Sequence, residues 1–490
     1  MKLSATIMMA TLSAVAPVAS RMMNREKAFW SESASRRAMN RERFNELILL
    51  PFKSNRIQQQ MKRILSILFL SFLFLFLFSP NAHTQVVDQI YNNNIRTVQF
   101  YPVGDQRGMP VYRLNSSDRL ELEFDDMQAD YKSYYYTFVL CDYNWQRCNL
   151  NVFDYLKGFT QNRISTYRYS SIAYARYTHY QAFLPEQNCL PTRSGNYLLL
   201  VYVNGDTSKV AFTRQMLVVD QKASVSASVV QPFTPQLFNT HQRVKFTASL
   251  QGINSFSAAQ QVKAVIVQNN RWDKAQRDIP PTFVRGSDLE FNNETVGVFP
   301  AGKEWRWLDL RSFRLQSDRV DSGVYDKNHA ELYLKPDGDR SGDRYIYFPD
   351  YNGAFYITTY ETINPLWQGD YANIHFSFVT PDGHPLKDKN IYLAGGFTGY
   401  QYTDKWKMNY QPEKGKYELA VPMKQGYYNY TFVTVDTNDP QQISTYEGNH
   451  WETENSYTIF IYYKSLSDRN DQLIGTATID SRTDKPGFSF

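Results

Sequence analysis

Histidine and cysteine, the side chains that most often carry metal binding and nucleophilic chemistry, are scarce: the 490 residues include 7 His and 3 Cys. After His83 the histidines are His179, His241, His329, His375, His384 and His450, no two of them close in sequence. There is no H-E-x-x-H, C-x-x-C, P-loop or G-x-S-x-G pattern, so the common zinc, redox, phosphate-binding and serine-hydrolase motifs are excluded. Three cysteines are too few for a disulfide-stapled scaffold. Convincing amphipathic helical stretches are missing, which argues against a parallel α/β sheet. One long apolar run excludes a polytopic membrane protein, and 21% charged residues beside many large apolar ones exclude global disorder. The length suggests about two to four domains, at roughly 100–200 residues each. What is abundant is aromatic: 36 Tyr and 32 Phe.

The formal charge of +5 sits in the first 84 residues. Lys62-Arg63, the apolar run Ile64 to Phe78, the break at Pro80 and small residues before Gln85 read as a secretory signal with cleavage between Thr84 and Gln85. The run falls short of the roughly 20 residues of a membrane span, which leaves an uncleaved anchor as the minor alternative. Translation is expected to begin at Met61, making residues 1–60 either a spurious upstream extension or a leader. Residues 1–84 hold 12 Lys and Arg and 4 Asp and Glu, so the remainder carries 41 against 44, a net of −3. Such a chain lacks the basic patches that nucleic acid requires.

From Ile95 onward, short runs rich in Val, Ile, Tyr, Phe and Thr alternate with Gly, Pro, Asn and Asp clusters. The expected fold is all-β: two or three tandem β-sandwiches of immunoglobulin-like or early-set-like kind, following the signal peptide. Boundaries are expected at residues 85–220 for an N-terminal sandwich, 221–362 for a middle β domain and 363–475 for an early-set-type domain, with 476–490 as a tail. Export would permit one disulfide among Cys141, Cys148 and Cys189, with three possible pairings. Thr137, Val139 and Cys141 share a strand face, which suits a buried thiol, so Cys148 and Cys189 are the favoured pair.

Two acidic groups carry candidate chemistry. Asp337, Asp339, Ser341 and Asp343, with Gly342 sixth, imitate the start of a calcium loop, but its twelfth position is Phe348, and Arg340 and Arg344 oppose a cation. A plain polar turn is the better reading. Asp125-Asp126 can support acid/base work, yet at a strand end they more often cap a turn. A pocket gathering Asp125, Asp126 and His179 would make an enzyme reading serious. His375, within a strand-like run, reads as structural. No catalytic residue, metal site or cofactor is expected. The aromatic excess has three readings: stacking on sugars, anchoring a protein interface, or filling cores and cross-strand pairs. Tyr134-Tyr135-Tyr136 and Tyr427-Tyr428-Asn429-Tyr430 put rings on both faces of their strands, so some must face outward.

Ten short stretches, in order from residue 95 to 475, resemble the type IX secretion system plug proteins of the Bacteroidota. They include Arg96 with Phe100-Tyr101, Asp125-Asp126, Asp142 with Trp145, His179-Tyr180, Gln268-Asn269 with Trp272, Lys424-Gln425-Gly426-Tyr427 with Tyr430, and Glu447 with Glu454. Leu140 and Cys148 depart from the pattern, where His and Ser are usual. The resemblance implies a non-enzymatic periplasmic protein at the inner face of the outer membrane. Its partner would be the secretion system's β-barrel translocon, which it occludes when no cargo is present. Neither a small-molecule substrate, nucleic acid nor a stable anchor after cleavage is implied. The signature residues would be structural or interfacial. The rival reading is an exported glycan-binding or glycan-processing β-sandwich protein, motivated by the aromatics and the third module's pattern.

Overall fold

Alternation of large apolar and polar residues along each strand decides how the sheets stack. The structure, a computed structural model, describes residues 88–253 and 258–483. The expected signal peptide, its Thr84–Gln85 cleavage point and the leader lie outside the described residues. The fold is all-β, with three sandwiches.

In the first sandwich, the strands Ile95–Pro102, Leu120–Asp126, Thr178–Leu184 and Thr166–Tyr169 lie side by side in that order. They face a sheet ordered Val111–Arg113, Val210–Val219, Gly195–Val203, Tyr134–Cys141 and Asn162–Arg163. Leu120, Leu122 and Phe124 from one sheet meet Tyr134, Tyr136, Phe138 and Leu140 from the other. Phe124 is central: Tyr180 stacks on it at 5.0 Å, with Tyr134 and Phe212 edge-on at 5.0 and 4.9 Å. Such contacts add about 0.5–1.5 kcal/mol per pair beyond buried area. Core filling therefore accounts for a large share of the tyrosines.

The second sandwich does not end where the sequence suggests. Its first sheet, built around His241–Ser249, comes from residues 224–300, but its second is ordered Gln276–Ile279, Val262–Gln268, Ser456–Tyr463 and Gln472–Asp480. The third sandwich lies between these halves in the chain. It pairs a sheet centred on Tyr427–Asp436 with one ordered Val320–Tyr325, Ala330–Leu334, Tyr371–Phe378, Lys416–Lys424 and Asn409–Gln411. The sheets thus cross the boundaries expected at residues 362 and 475, and the expected tail contains most of a core strand. The cause lies in Val262–Gln268: Ala264 and Ile266 enter the second core, while Val265 and Val267 point the other way and are also buried. A strand buried on both faces and hydrogen-bonded on both edges needs a central place in its sheet, and residues 456–463 supply the missing neighbour in full register.

That second apolar face docks the first two sandwiches. Leu198, Leu200, Tyr202 and Leu217 pack against Val265, Val267, Phe460, Tyr462 and Leu473. Cys141 belongs to the same cluster, as the period-2 reading of its strand implies. The expected Cys148–Cys189 disulfide is absent: all three cysteines are free. Cys189 sits inside the first core, opposite Gly158 in a two-stranded ribbon, whereas Cys148 is held by its backbone N–H to Leu140 beside Cys141. Burial pushes the thiols of Cys141, Cys148 and Cys189 up to about 12, 11 and 12.

Two outcomes follow from this packing. Phe460→Ala opens the first seam and is expected to cost about 3–5 kcal/mol, read as a lowered urea midpoint. Alkylation in denaturant without reductant should add three labels by intact mass, whereas a disulfide would leave one; under native conditions Cys141 and Cys189 should stay unlabelled.

Candidate functional site

Successive residues of a strand point to opposite faces, and this divides Asp125 from Asp126. Asp126 turns inward, where its Oδ2 accepts from Tyr134 Oη at 2.9 Å and Lys132 Nζ at 2.6 Å. Asp125 turns outward, beneath the third sandwich. Its Oδ1 lies 2.7 Å from His179 Nδ1, on the neighbouring strand where His179 is its direct cross-strand partner. Its Oδ2 accepts from Lys424 Nζ at 2.6 Å and Tyr371 Oη at 2.6 Å, both on the third sandwich. Tyr177 completes the site, with its ring 4.3 Å from the Lys424 ammonium and its hydroxyl donating to Gly369 O at 2.7 Å.

Lys424 reaches this position from a tight reversal. The strand Lys416–Lys424 ends there, and the next begins at Tyr427. At Gly426 a Cβ would stand 2.5 Å from Tyr356 O, so no larger residue fits. Gln425 Oε1 accepts from Asp370 N at 3.0 Å. Asp370 is a second fastening to the first sandwich: its carboxylate accepts from Tyr174 N at 2.7 Å and Ala175 N at 2.9 Å. Nothing in the sequence singled out Asp370 or Tyr371; the only local signal is an Asp where a Gly-Asp turn enters a strand.

The electrostatics are those of a sealed lock. Asp125 and Lys424 are each 1% exposed. Burial opposes ionisation of Asp125, but Lys424 and then His179 hold its carboxyl below the ordinary range. Burial pulls His179 down, against the opposing pull of Asp125. The geometry gives the imidazole proton to Nδ1, facing Asp125, and leaves Nε2 buried without a partner. A second proton there would be a buried donor with no acceptor, so the neutral ring is favoured. The structure unites Asp125 and His179, but covers them with the third sandwich and sends Asp126 to the other side of its strand.

The other signature residues occupy joints or cores. Asp142 Oδ1 accepts from Asn144 N and Gln146 N at 2.9 and 2.8 Å, shaping the turn that presents Trp145. Trp145 meets Trp272 edge-on at 5.1 Å, and Trp272 stacks on Phe460 at 5.2 Å, at the seam of the first two sandwiches. Gln268 bonds Pro300 O and Tyr457 Oη, both at 3.1 Å. Asn269, at φ +52°, joins Asn455 Oδ1 at 2.7 Å. Phe100 and Tyr180 lie in the first core, and Tyr101 is buried on the same sheet. Tyr427 stacks over Trp307, and Glu454 Oε2 accepts from Tyr347 Oη at 3.0 Å. Arg96 binds the carbonyls of Asn93 and Ile95.

The calcium-like turn is committed elsewhere. Asp337 binds Arg306 and Arg319, both at 2.7 Å, and Tyr430 Oη at 2.8 Å, while Glu447 binds Arg306 and Arg340. Among the described residues no group of acidic, His or Cys side chains is arranged to hold a metal ion. His375 is paired with Glu331 and stacked on Tyr333 at 4.1 Å, a structural position.

Removing one partner of a buried pair strands the other charge. Lys424→Met should therefore lose about 3–5 kcal/mol, while Asp125→Asn/Lys424→Met should lose less than the sum of the single changes, as read by a double-mutant cycle in urea. His179 adds a pH dependence. Its folded-state value is lowered, so below about 6.5 the unfolded chain binds the proton more readily and stability falls with pH. Glu123, pushed up to about 8 by burial and Glu121, has the opposite slope. The difference between proteins isolates His179: between about pH 7.5 and 5.5 the parent should lose more melting temperature than His179→Asn.

Comparison with known proteins agrees with this architecture. Residues 95–220, which coincide with the first sandwich, match the family profile described as Type 9 secretion system plug protein 1st domain. No curated protein matches the chain. The chain is similar to a hypothetical protein from Parabacteroides merdae ATCC 43184 known from a crystal structure: 28% identity and a TM-score of 0.76, over 80% of this chain and 98% of that one. That likeness extends well beyond the matched first domain.

Proposed function

We propose, from the match of residues 95–220 to the profile described as Type 9 secretion system plug protein 1st domain, that this chain is a non-enzymatic periplasmic plug. In this reading it occludes the outer-membrane β-barrel translocon of the type IX secretion system while no cargo passes. The match of the first domain is the observation that carries the proposal. A pore wide enough for folded cargo breaches the permeability barrier unless a body of fixed shape blocks it. The apolar seam and the Asp125 lock support such a shape, because they tie the three sandwiches together.

The first domain also offers a contact surface. Thr166–Tyr169 is the outer strand of its sheet, and all four of its residues are exposed. Tyr131 and Tyr167 have ring centroids 4.7 Å apart, and Tyr167 and Tyr169 are 5.8 Å apart. The Arg163 guanidinium lies over Tyr131. Tyrosine and arginine dominate the energetic centres of interfaces, and a modest patch with a polar rim suits a plug that must leave.

Deleting the gene in a strain whose translocon stands empty should raise uptake of a large antibiotic; unchanged uptake would count against plugging. Tyr167→Ser/Tyr169→Ser should keep its melting temperature, since both side chains are exposed, yet recover about tenfold or more less translocon on co-purification. Retardation in polysaccharide gels that disappears in the same variant would favour glycan binding instead.

A further inference from the structure

Beside the Asp125 lock, a cleft of about 270 Å³ runs between the first and third sandwiches. This is close to the ~300 Å³ at which small-ligand pockets begin, with room for one side chain and a small polar group. Phe355, Phe397 and Trp406 contribute apolar wall, and the charged groups are Arg96, Arg214, Lys405, Lys424 and Asp88. Lys424 is spent on Asp125. Arg96 and Arg214 donate only to backbone carbonyls among the described residues: Asn93 and Ile95 for the former, Thr213 and Val98 for the latter. Lys405 rests 4.7 Å over Trp406 and has no carboxylate within ion-pair distance among the described residues. Asp88, the one remaining carboxylate in the lining, accepts from Gln215 N at 2.7 Å and offsets part of the charge of Arg214.

Three cations thus share a cleft with one carboxylate, Asp88, already engaged by Gln215 N and Arg214. Burial first, and then the neighbouring charges of Arg96 and Arg214, pulls Lys405 down to about 8. The backbone here is also strained. The strand Ile95–Pro102 breaks register between Arg96 and Gln99, and Thr97 stands at φ +48°, a left-handed value that a β-branched residue rarely adopts. A 2.6 Å hydrogen bond between Thr97 Oγ1 and Tyr371 Oη ties the distortion to the third sandwich. Strain of this kind collects at binding sites, where the bulge re-aims side chains.

We propose that the cleft binds a carboxylate carried on an apolar body. The guanidinium groups of Arg96 and Arg214, with Lys405, receive the anion, and the aromatic wall receives the body. That wall disfavours a bare, strongly hydrated dianion such as phosphate. A polypeptide C-terminus with an apolar last residue and a fatty acid both have this chemistry. The site is independent of whether the chain plugs a pore.

Calorimetric titration of the purified full chain tests the inference with four probes: N-acetyl-L-phenylalanine, its amide, octanoate and inorganic phosphate. The acid should bind about tenfold or more tighter than its amide. Arg214→Gln/Lys405→Gln should weaken it by at least that factor, and Lys405→Gln alone, which breaks no ion pair among the described residues, should weaken it measurably. The stronger of octanoate and N-acetyl-L-phenylalanine tells a fatty acyl source from a polypeptide terminus. The proposal is overturned if neither acid binds, if the amide matches the acid, if phosphate outbinds both acids, or if Lys405→Gln changes nothing.

Discussion

The arrangement of the first and third sandwiches turns on one buried ion pair. Asp125 and Lys424 are 299 residues apart, yet their charges meet at 2.6 Å with almost no water. Taking two charges out of water costs several kcal/mol per ion, and mutual attraction offsets this only when every remaining hydrogen-bond position is filled. Asp125 meets that condition with three donors, from His179, Lys424 and Tyr371. A slip of one residue in either strand would leave a carboxylate or an ammonium buried alone. The pair therefore selects one register between sandwiches more strongly than it adds to net stability.

The seam between the first and second sandwiches is of another kind. It is apolar sheet on apolar sheet, strong in total but tolerant of small shifts, because buried area carries little direction. Polar pairs sit within it, among them the Tyr462 hydroxyl donating to Asn196 Oδ1 and the Tyr143 hydroxyl donating to Asp278 Oδ1, both at 2.8 Å. The third sandwich is continuous with the second through both of its chain ends, since residues 456–480 return to the sheet that residues 262–268 began. Each sandwich is thus fixed to the other two by a different means: apolar burial, a polar lock, and double covalent connection. Most signature residues lie at these joints or in the cores beside them, a reason for their spread over nearly the whole chain.

Strands, the lack of long helices among the described residues and the faces of individual strands were legible in the sequence, because periodicity reports which side chains share a face. Cys141 among buried residues and Asp125 separated from Asp126 both follow from that rule. Partnership was not legible. Nothing in Val262–Gln268 says that its neighbour lies nearly 200 residues later, so boundaries placed by local composition cut through one sandwich. The cysteine pairing is hidden for the same reason: loop-like sequence does not show that Cys189 is enclosed by the first core. The resemblance drew attention to Lys424 and His179 separately, but not to their meeting at Asp125, and Tyr371 carried no motif at all. Long-range polar contacts leave little trace in local composition, because each member is an ordinary residue until its partner arrives.

Charge and aromatic content illustrate the same limit at another scale. A net of −3 beyond residue 84 describes the average surface, yet the cleft beside Thr97 gathers Arg96, Arg214 and Lys405 against Asp88 alone. Likewise, most of the bulkiest tyrosines are consumed in cores, and what distinguishes the surface is where the remainder cluster. Tyr131, Tyr167 and Tyr169 gather at the open edge of the first sandwich, on the sheet that also carries Asp125 and His179. That sheet therefore fastens the first domain to the third sandwich through its outward face and offers aromatic rings at its edge. A load applied at that edge passes through two strands to the Asp125 lock, so the stiffness of the lock sets how firmly the aromatic edge is held.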